Sequence, residues 1–522
     1  MLKPAISSSL MDFMNREGIA DLTRIKRGVE KESLRVTPDG YLSMRPHPKA
    51  LGSALTNPCI TTDYSEALPE FITPPSEDRE APVARMKAIH QFVYRHLDDE
   101  LLWASSMPCA VTSESDIPLA QFGSSNVGRM KHIYRVGLSH RYGSMMQTIA
   151  GVHYNFSMPD SFWLKLQRHL GDDRPPQEFV SARYMALARN FLRYGWLVPL
   201  IYGASPALCK SFLQGRHPGR LKTLKSGTLY GPWATSLRMS DLGYQSNAQS
   251  RLNVSYNCVD DYVGALEYAI STEDPFYRDI GVKVDGEYRQ LNANLLQIEN
   301  EYYSGIRPKR VIRPGERPTQ ALRRGGVEYI EVRVLDLNPF SPIGFTQQQQ
   351  DFLDVFLLFC LLQKSPPITE REAAENQINT RRVVTEGRSP DLHMCMGNRD
   401  VSKEKLLDVF FRELRPLADL LDAAWKTDAY SCTVHDAEEA ARNPEKSVSG
   451  RFLQQLTDFD GGFFSFVASL SRQHKAALGA EAFSARRLSE FEQQASRSLA
   501  RQAEIEASDT LSFEEYLANY FA

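Results

Sequence analysis

Residues 28–35, with the sequence GVEKESLR, contain the first side chains that could do chemistry. On an extended strand, Glu30 and Glu32 project from the same face, because side chains alternate with a period of two. Paired carboxylates of this kind can bridge or flank hard cations such as Mg²⁺. A solvated edge strand of alternating charge has the same pattern, so the segment alone leaves both interpretations open.

A second group of carboxylates lies in residues 61–71, among β-branched and aromatic residues. These are Asp63, Glu66 and Glu70. A charged group in apolar surroundings is unfavourable unless it is paired or bound to a metal, so their placement favours a binding role. The alternative is that Glu66 and Glu70 form the wet side of a short helix.

Residues 145–158 are rich in Thr, Val, Tyr and Phe and predict a strand that ends before Pro159. Gln147, Gly151, His153 and Asn155 would then share one polar face, with a gap at Gly151 that admits a ligand or backbone. A neutral imidazole beside carboxylates is a reasonable metal ligand. A lone histidine is more often structural, but the neighbouring amides favour the ligand role.

A fourth candidate strand follows the glycine pair 325–326. Tyr329, Glu331 and Arg333 would lie on one of its faces. The functional interpretation is a metal-binding carboxylate beside a cation that stabilises a transferring phosphoryl group. The alternative is an ordinary ion pair between Glu331 and Arg333.

Two basic segments complete the candidates. Arg238 stands among small residues and suits a bidentate grip on a carboxylate, unless it pairs locally with Asp241. Residues 306–310, IRPKR, fit either phosphate binding or a solvated loop. Together the segments predict a sheet whose concave face holds divalent cations and anionic substrates, as ATP-dependent ligation requires.

The elements that must position these residues are of mixed type as far as residue 345. The fold class is therefore predicted as α+β, with an antiparallel sheet covered on one side. We expect a catalytic core over 1–345 and a mostly helical region over 346–522 packed on the same core. The strand-like stretches are 34–42, 145–158, 291–299 and 327–337, and the helix-like ones 81–103, 179–202, 347–363, 403–425, 447–471 and 488–507.

Composition and charge narrow the class of protein. The 522 residues are 42 % hydrophobic and 24 % charged, which excludes wholesale disorder and a fibrous protein. A net charge of −3 provides no general cationic field for nucleic acid or an anionic membrane. No apolar run is long enough to span a bilayer, and no signal peptide is evident. Seven cysteines without a CxxC motif favour a reducing, cytoplasmic location.

Several long blocks resemble the proteobacterial type of glutamate–cysteine ligase, or γ-glutamylcysteine synthetase. The resemblance runs almost continuously from about residue 24 to residue 345, and more loosely beyond. The blocks, in the same order as in that family, include GVEKESLRV, ALGSALTNPCITTDYSEALPEFITP, QTIAGVHYNFS, ATSLRMSDLGY and GGVEYIEVRVLDLNPFSPIG.

The resemblance implies an enzyme that forms γ-glutamylcysteine from L-glutamate, L-cysteine and ATP, the first step of glutathione synthesis. It also implies a fold related to glutamine synthetase, a bent antiparallel sheet that forms a funnel. Mg²⁺, for which Mn²⁺ can substitute, is the expected cofactor. We expect a monomer that binds neither nucleic acid nor membrane.

The resemblance also assigns individual residues to roles. It implies that Arg333 assists phosphoryl transfer together with Glu331, and that Arg238 binds glutamate. The implied metal ligands are Glu30, Glu32, Asp63, Glu70, His153 and Glu331. The implied cysteine pocket consists of Tyr64, Tyr134, Gln147, Tyr244 and Tyr303, with Tyr64 at a position where phenylalanine can occur.

Two other classes of protein remain possible at this point. One is a carboxylate–amine ligase on the same scaffold with a different amine acceptor. The other is a catalytically inactive binding or regulatory protein, against which the intact carboxylate set argues. A nucleic-acid binder built on residues 306–310 is opposed by the net charge.

Overall fold

A computed structural model describes residues 5–108, 111, 113–225, 227–242 and 252–521 of the chain. Its strands are β1 (Lys26–Glu32), β2 (Arg35–Val36), β3 (Ile60–Thr62), β4 (Pro69–Ile72), β5 (Leu101–Leu102), β6 (Val152–Ser157), β7 (Ala207–Cys209), β8 (Lys222–Thr223), β9 (Thr228–Tyr230), β10 (Lys283–Val284), β11 (Glu287–Tyr288), β12 (Ile306–Lys309), β13 (Tyr329–Leu335), β14 (His393–Cys395) and β15 (Asp400–Ser402).

The α-helices of the described residues lie before, between and after these strands. They are α1 (Ser8–Phe13), α2 (Ala81–Tyr94), α3 (Asn126–Tyr142), α4 (Asp160–Leu170), α5 (Pro176–Tyr194), α6 (Leu197–Tyr202), α7 (Val259–Ser271), α8 (Pro275–Ile280), α9 (Pro318–Gly325), α10 (Gln347–Leu362), α11 (Glu370–Glu386), α12 (Lys403–Trp425), α13 (Ala429–Arg442), α14 (Val448–Asp458), α15 (Phe463–Ala480), α16 (Ala485–Ser508) and α17 (Phe513–Phe521).

The main sheet has six strands in the order β12-β13-β6-β1-β4-β3. Every neighbouring pair in it is antiparallel, which confirms the predicted sheet type. Strand β1 lies inside the sheet, between β6 and β4, so the alternative of a solvated edge strand is wrong. The register places Glu30 opposite His153 and Glu32 opposite Glu70.

The two faces of this sheet have opposite character, because side chains alternate along each strand. The back face is apolar and almost completely buried, with Val29, Phe71, Tyr154, Ile330 and Val332 at 0 % exposure. The front face carries the polar side chains, and helices cover the back.

The helical region after residue 345 packs on the same hydrophobic core as the sheet. Helix α10 sends Asp354 to the back of the sheet, where it accepts hydrogen bonds from Arg27 at 2.7 Å and from Tyr154 at 2.6 Å. A division at residue 345 stays a prediction. This region also contains the small hairpin β14–β15.

Several predicted elements differ from the observed ones. Residues 291–299 form no strand but end in a 3₁₀ turn, and the strand predicted over 145–158 begins only at Val152. The long helix predicted over 179–202 is interrupted at Gly195, between α5 and α6. Among the helices of the described residues, none is long and apolar enough to cross a bilayer.

Candidate active site

Glu30, His153 and Glu331 form the centre of the front face, on three adjacent strands. Their ligand atoms lie within 4.8 Å of one another. His153 Nδ1 is 3.4 Å from Glu30 Oε2 and 3.9 Å from Glu331 Oε1. Glu30 is held in place by Asn155, whose amide donates to Glu30 Oε1 at 2.9 Å. Strand pairing therefore brings together three candidate metal ligands that are far apart in sequence.

A second carboxylate group extends this centre toward β4. Glu32 lies directly opposite Glu70, and its Oε1 is 3.7 Å from His153 Nε2. The other oxygen of Glu32 accepts the Gly151 N–H at 2.8 Å. Asp63 follows β3 and is close enough for its charge to raise the pKa of both Glu32 and Glu70. The six predicted metal ligands thus share one neighbourhood.

Cations gather at the opposite end of the front face, around Glu331. Arg333 Nη1 donates to Glu331 Oε1 at 3.3 Å and lies 3.4 Å from His153 Nδ1. Arg307 and Lys309 of β12 approach Glu331 Oε2 at 3.9 and 3.8 Å. Arg307 lies opposite Glu331 in the sheet, so these cations sit on a strand and not in a solvated loop.

The carboxylate beside the cations and those near β4 have pKa shifts in opposite directions. Burial opposes ionisation of Glu331, but the charges of Lys309, Arg333 and His153 hold its pKa well below the ordinary value. Burial and the neighbouring carboxylates raise the pKa of Glu70 well above the ordinary value, and burial raises that of Glu32. Glu32 and Glu70 are therefore protonated more readily than ordinary glutamates, and a bound cation would favour their ionised forms.

The donor set at this centre fits a hard divalent cation. It consists of carboxylate oxygens and one imidazole, and oxygen ligands are what Mg²⁺ prefers. Among the described residues, the buried atoms Glu331 Oε2, Asn155 Oδ1 and Arg333 Nε have no hydrogen-bond partner. Buried polar atoms in native proteins are normally satisfied, so these three atoms are suited to a bound ion and an anionic substrate.

Arg238 reaches the edge of this centre because Gly151 has no side chain. A Cβ on Gly151 would lie 2.1 Å from Arg238 Nη2. The guanidinium donates to the Arg333 carbonyl at 3.0 Å and lies 3.7 Å from the buried carboxylate of Asp336. The alternative partner Asp241 instead forms an ion pair with Arg381. The gap predicted at Gly151 therefore holds a side chain.

The predicted substrate residues are located on several elements. Tyr303 donates to the sulfur of Met239, next to Arg238. Tyr64 is buried, and its hydroxyl donates to Ser144 Oγ at 2.8 Å.

Tyr134 lies on α3, and burial, with smaller contributions from the charges of Glu301 and Asp63, raises its pKa. Gln147 is in a 3₁₀ turn over Met145–Thr148, so its predicted place on the strand with His153 is wrong. Tyr244 lies outside the described residues.

Some residues at or near the site were not among the predicted roles. Asn155 could have been assigned to the site from the sequence, because it alternates with the predicted ligand His153. The cations of β12 could have been assigned because they stand in the IRPKR segment. Lys131 and Arg135 are four residues apart, and helical spacing places them on one face of α3. The charges of Asp63 and Glu70 act on both. Asp336 had no signal, since only the tertiary fold brings it to Arg238.

Comparison with known proteins gives a consistent result. The sequence model of the family described as glutamate-cysteine ligase matches residues 10–383. The chain is 51 % identical to the glutamate–cysteine ligase of Alcanivorax borkumensis over 518 residues, 98 % of both chains. It is 49 % identical to that of Azotobacter vinelandii, over 95 % of this chain and 94 % of the relative.

Two solved structures are similar as well. The glutamate–cysteine ligase of Francisella tularensis in complex with AMP superposes with a TM-score of 0.88 at 34 % identity, covering 95 % of this chain and 97 % of that one. A bifunctional glutathione synthetase from Pasteurella multocida superposes with a TM-score of 0.74 at 26 % identity. The match covers 93 % of this chain and 58 % of that one.

Proposed function

The chain belongs to the glutamate–cysteine ligase family, and we propose that the front face of its six-stranded sheet is where it carries out that family's reaction. The enzyme joins the γ-carboxylate of L-glutamate to the amine of L-cysteine and converts ATP to ADP and phosphate. The single observation that supports the location is the convergence of Glu30, His153 and Glu331 beside Arg333.

We propose that the six residues predicted above as metal ligands hold Mg²⁺, or Mn²⁺ in its place. Bound there, the cation would neutralise phosphate oxygens and polarise the γ-phosphoryl group. The unpartnered Glu331 Oε2 and the raised pKa of Glu70 and Glu32 both support this assignment. Glu32 and Glu331 are buried, which limits competing water at their oxygens.

In the first step the glutamate γ-carboxylate attacks the γ-phosphorus of ATP, and the bond to the β-phosphate oxygen breaks. This gives γ-glutamyl phosphate and ADP. Arg333 is positioned to stabilise charge on the transferring group, since it lies next to Glu331 and His153 and has an unpaired buried Nε. Arg238 would hold the glutamate, because its guanidinium is fixed by the Arg333 carbonyl and Asp336.

In the second step the neutral amine of cysteine attacks the acyl carbon and phosphate leaves. We propose that Tyr134, Tyr303, Tyr64, Gln147 and Tyr244 surround the cysteine side chain. Discrimination by such an apolar pocket is worth about 1–3 kcal/mol between acceptors that differ by one small group. Tyr64 is 1 % exposed and its hydroxyl donates to Ser144, so the hydroxyl is already engaged within the protein.

We further propose that the protein acts in the cytoplasm and as a monomer. The cysteines of the described residues form no disulfide, which fits a reducing compartment. Its substrates are the small molecules of the reaction, and the proposed site needs no residue from a second copy.

The test is a pair of substitutions with a matched control. Glu331→Gln and Arg333→Ala should each lower formation of γ-glutamylcysteine by about 10²-fold or more while the protein stays folded. The control is Glu328→Gln. Glu328 is half-exposed, lies just before β13 and pairs with Arg310, so its substitution should leave turnover unchanged. Product is measured by mass spectrometry with excess Mg²⁺, and again with EDTA. Near-normal turnover of Glu331→Gln, or undiminished product in EDTA, would refute the proposed site.

A further inference from the structure

Helix α3 has Ser125 as its own N-cap, whose hydroxyl accepts the Gly128 N–H, and residues that lie almost 400 positions later bind the same end of the helix. Its first turn contains no acidic residue of its own. The Asn126 N–H, at the first helical position, donates to the Asp509 carboxylate, and the Ser124 N–H donates to Glu506 Oε1 at 2.8 Å. The Asn126 side chain donates to the Leu511 carbonyl at 2.9 Å. Asp509 and Glu506 thus supply the negative charge that a helix N-terminus requires.

An apolar contact continues along the same helix. Phe513 and Leu517 of α17 are buried in a small cluster with Met130 and Ile133 of α3. The Arg129 guanidinium lies over the Phe513 ring, 4.4 Å from its centre. Residues 506–521, which we name the C-terminal clamp, therefore hold the first half of α3 by both capping and burial.

Tyr134 packs against this cluster as well, and α3 also contacts the proposed active site. Arg135 donates to the backbone carbonyl of Asp63, and Tyr134 lies within the electrostatic range of Asp63 and Arg307. One helix consequently connects the clamp to the residues proposed to receive the cysteine substrate.

We propose that the C-terminal clamp is a positioning element for the amine substrate, with Asp509 and Glu506 as its positioning residues. The proposal rests on the proposed function, since it acts through Tyr134. Removing these partners loosens the first turns of α3, and Tyr134 then loses its fixed position. The affinity for cysteine falls, while the chemistry on the sheet is intact.

If the clamp acts by positioning Tyr134, its loss should change the kinetic parameters for cysteine and not those for the other substrates. Glu30, Glu32, Glu70, His153 and Glu331 of the proposed metal site lie on strands of the main sheet, and Asp354 of α10 holds Arg27 and Tyr154 on the back of that sheet. A merely structural role would lower stability and all kinetic parameters together, whereas a positioning role affects the KM for cysteine selectively.

The experiment compares Asp509→Ala, Asp509→Asn and the control Glu504→Gln in the full-length enzyme. Glu504 is an exposed carboxylate on α16 that pairs with Arg501 and does not face α3. Loss of a cap changes an equilibrium by about 5- to 10-fold, so Asp509→Ala should raise the KM for cysteine by that factor. The KM for glutamate, the Mg²⁺ dependence and kcat should change less than about 2-fold, and Asp509→Asn, which keeps an acceptor oxygen, should restore most of the loss.

A second measurement does not depend on activity. Amide hydrogen exchange in the first turns of α3 should be faster in Asp509→Ala than in Glu504→Gln. The milder variant Glu506→Gln should give the same changes in smaller size if Asp509→Ala folds poorly.

The outcomes separate this inference from the function on which it rests. If Tyr134→Ala raises the KM for cysteine and Asp509→Ala and Glu506→Gln do not, the clamp proposal is wrong and the site assignment stands. Equal losses for all substrates would assign the clamp a structural role only, against the proposal. If Tyr134→Ala leaves the KM for cysteine unchanged, the assignment of Tyr134 fails and this inference fails with it.

Discussion

Gly151→Ala is the smallest change that tests how Arg238 is placed. The added Cβ would lie 2.1 Å from Nη2, 2.7 Å from Cζ and 3.0 Å from Nε of Arg238. Ordinary contacts between such atoms are about 3.5–4.0 Å, so the guanidinium has to move by more than about 1 Å. The backbone at Gly151 has no positive φ, so alanine is tolerated there and the side-chain collision is the whole perturbation.

The size of the effect follows from what Arg238 would lose. A hydrogen bond to a charged group contributes about 1.5–3 kcal/mol, which corresponds to about a 10- to 150-fold rise in the KM for glutamate. Overpacking at a buried position lowers the free energy of unfolding by about 1–3 kcal/mol. The KM for cysteine should change less than the KM for glutamate, because the Tyr303 hydroxyl of the proposed cysteine pocket meets Arg238 indirectly, through Met239.

Steady-state ADP release with varied glutamate measures this effect. Gly264→Ala is the control, because a Cβ on that glycine of α7 meets nothing within 4 Å. It should leave every KM unchanged and raise the free energy of unfolding by about 0.5–1 kcal/mol. Gly151→Ala combined with Arg238→Ala should be no worse than Arg238→Ala alone, since both act through one side chain.

A normal KM for glutamate in Gly151→Ala, together with a raised one in Arg238→Ala, would show that the guanidinium has room to move and would refute the packing argument. A normal KM in both variants would remove Arg238 from glutamate binding.

Two further changes test the electrostatics and the cysteine side of the site. The pKa of Glu70 is raised in the folded protein, so its contribution to stability is present at low pH and is lost as pH rises from the unfolded value of about 4.3 through the folded one. In EDTA, urea unfolding should therefore show a smaller loss of stability between about pH 5 and pH 8 for Glu70→Gln than for the wild type, and equal losses would contradict the assigned shift. Tyr64→Phe removes the 2.8 Å hydrogen bond to Ser144 and should lower the free energy of unfolding by about 1 kcal/mol. Its KM for glutamate should stay at the wild-type value in the same ADP assay, and a raised one would place the Tyr64 hydroxyl in the glutamate site.

The sequence predicts the front face well because it depends on a local rule. Glu30 and Glu32 alternate along one strand, as do Glu331 and Arg333 along another, and the observed register agrees with both predictions. The alternation of side chains along a strand does not predict which strands are neighbours in the sheet. That part of the prediction came from the resemblance of the long motifs to the family. The antiparallel α+β fold was predicted from both sources and is confirmed.

The errors arise where tertiary partners override local pattern. Gln147 reads as part of a strand, but the chain turns at Ser144, which binds Tyr64 from another segment. Glu66 reads as a surface or metal carboxylate, yet it is buried and accepts backbone N–H groups of His47 and Gln121, each at 2.6 Å. The spacing of residues in the sequence does not predict such contacts, because their donors come from distant loops.

The strongest physical sign of function is the contrast between the two faces of the same sheet. On the back face, the buried charge of Arg27 is matched by Asp354, and Lys31 donates to His90 at 2.9 Å. On the front face, Glu331 is 2 % exposed on its side chain, yet one of its oxygens has no hydrogen-bond partner among the described residues. A buried polar atom without a hydrogen-bond partner is uncommon in native proteins, and Glu331 Oε2 lies 3.8 Å from Lys309 and 3.9 Å from Arg307, beyond hydrogen-bond distance. The front face gathers Glu331 with Glu30 and His153 in one cluster, so it is organised around what it binds.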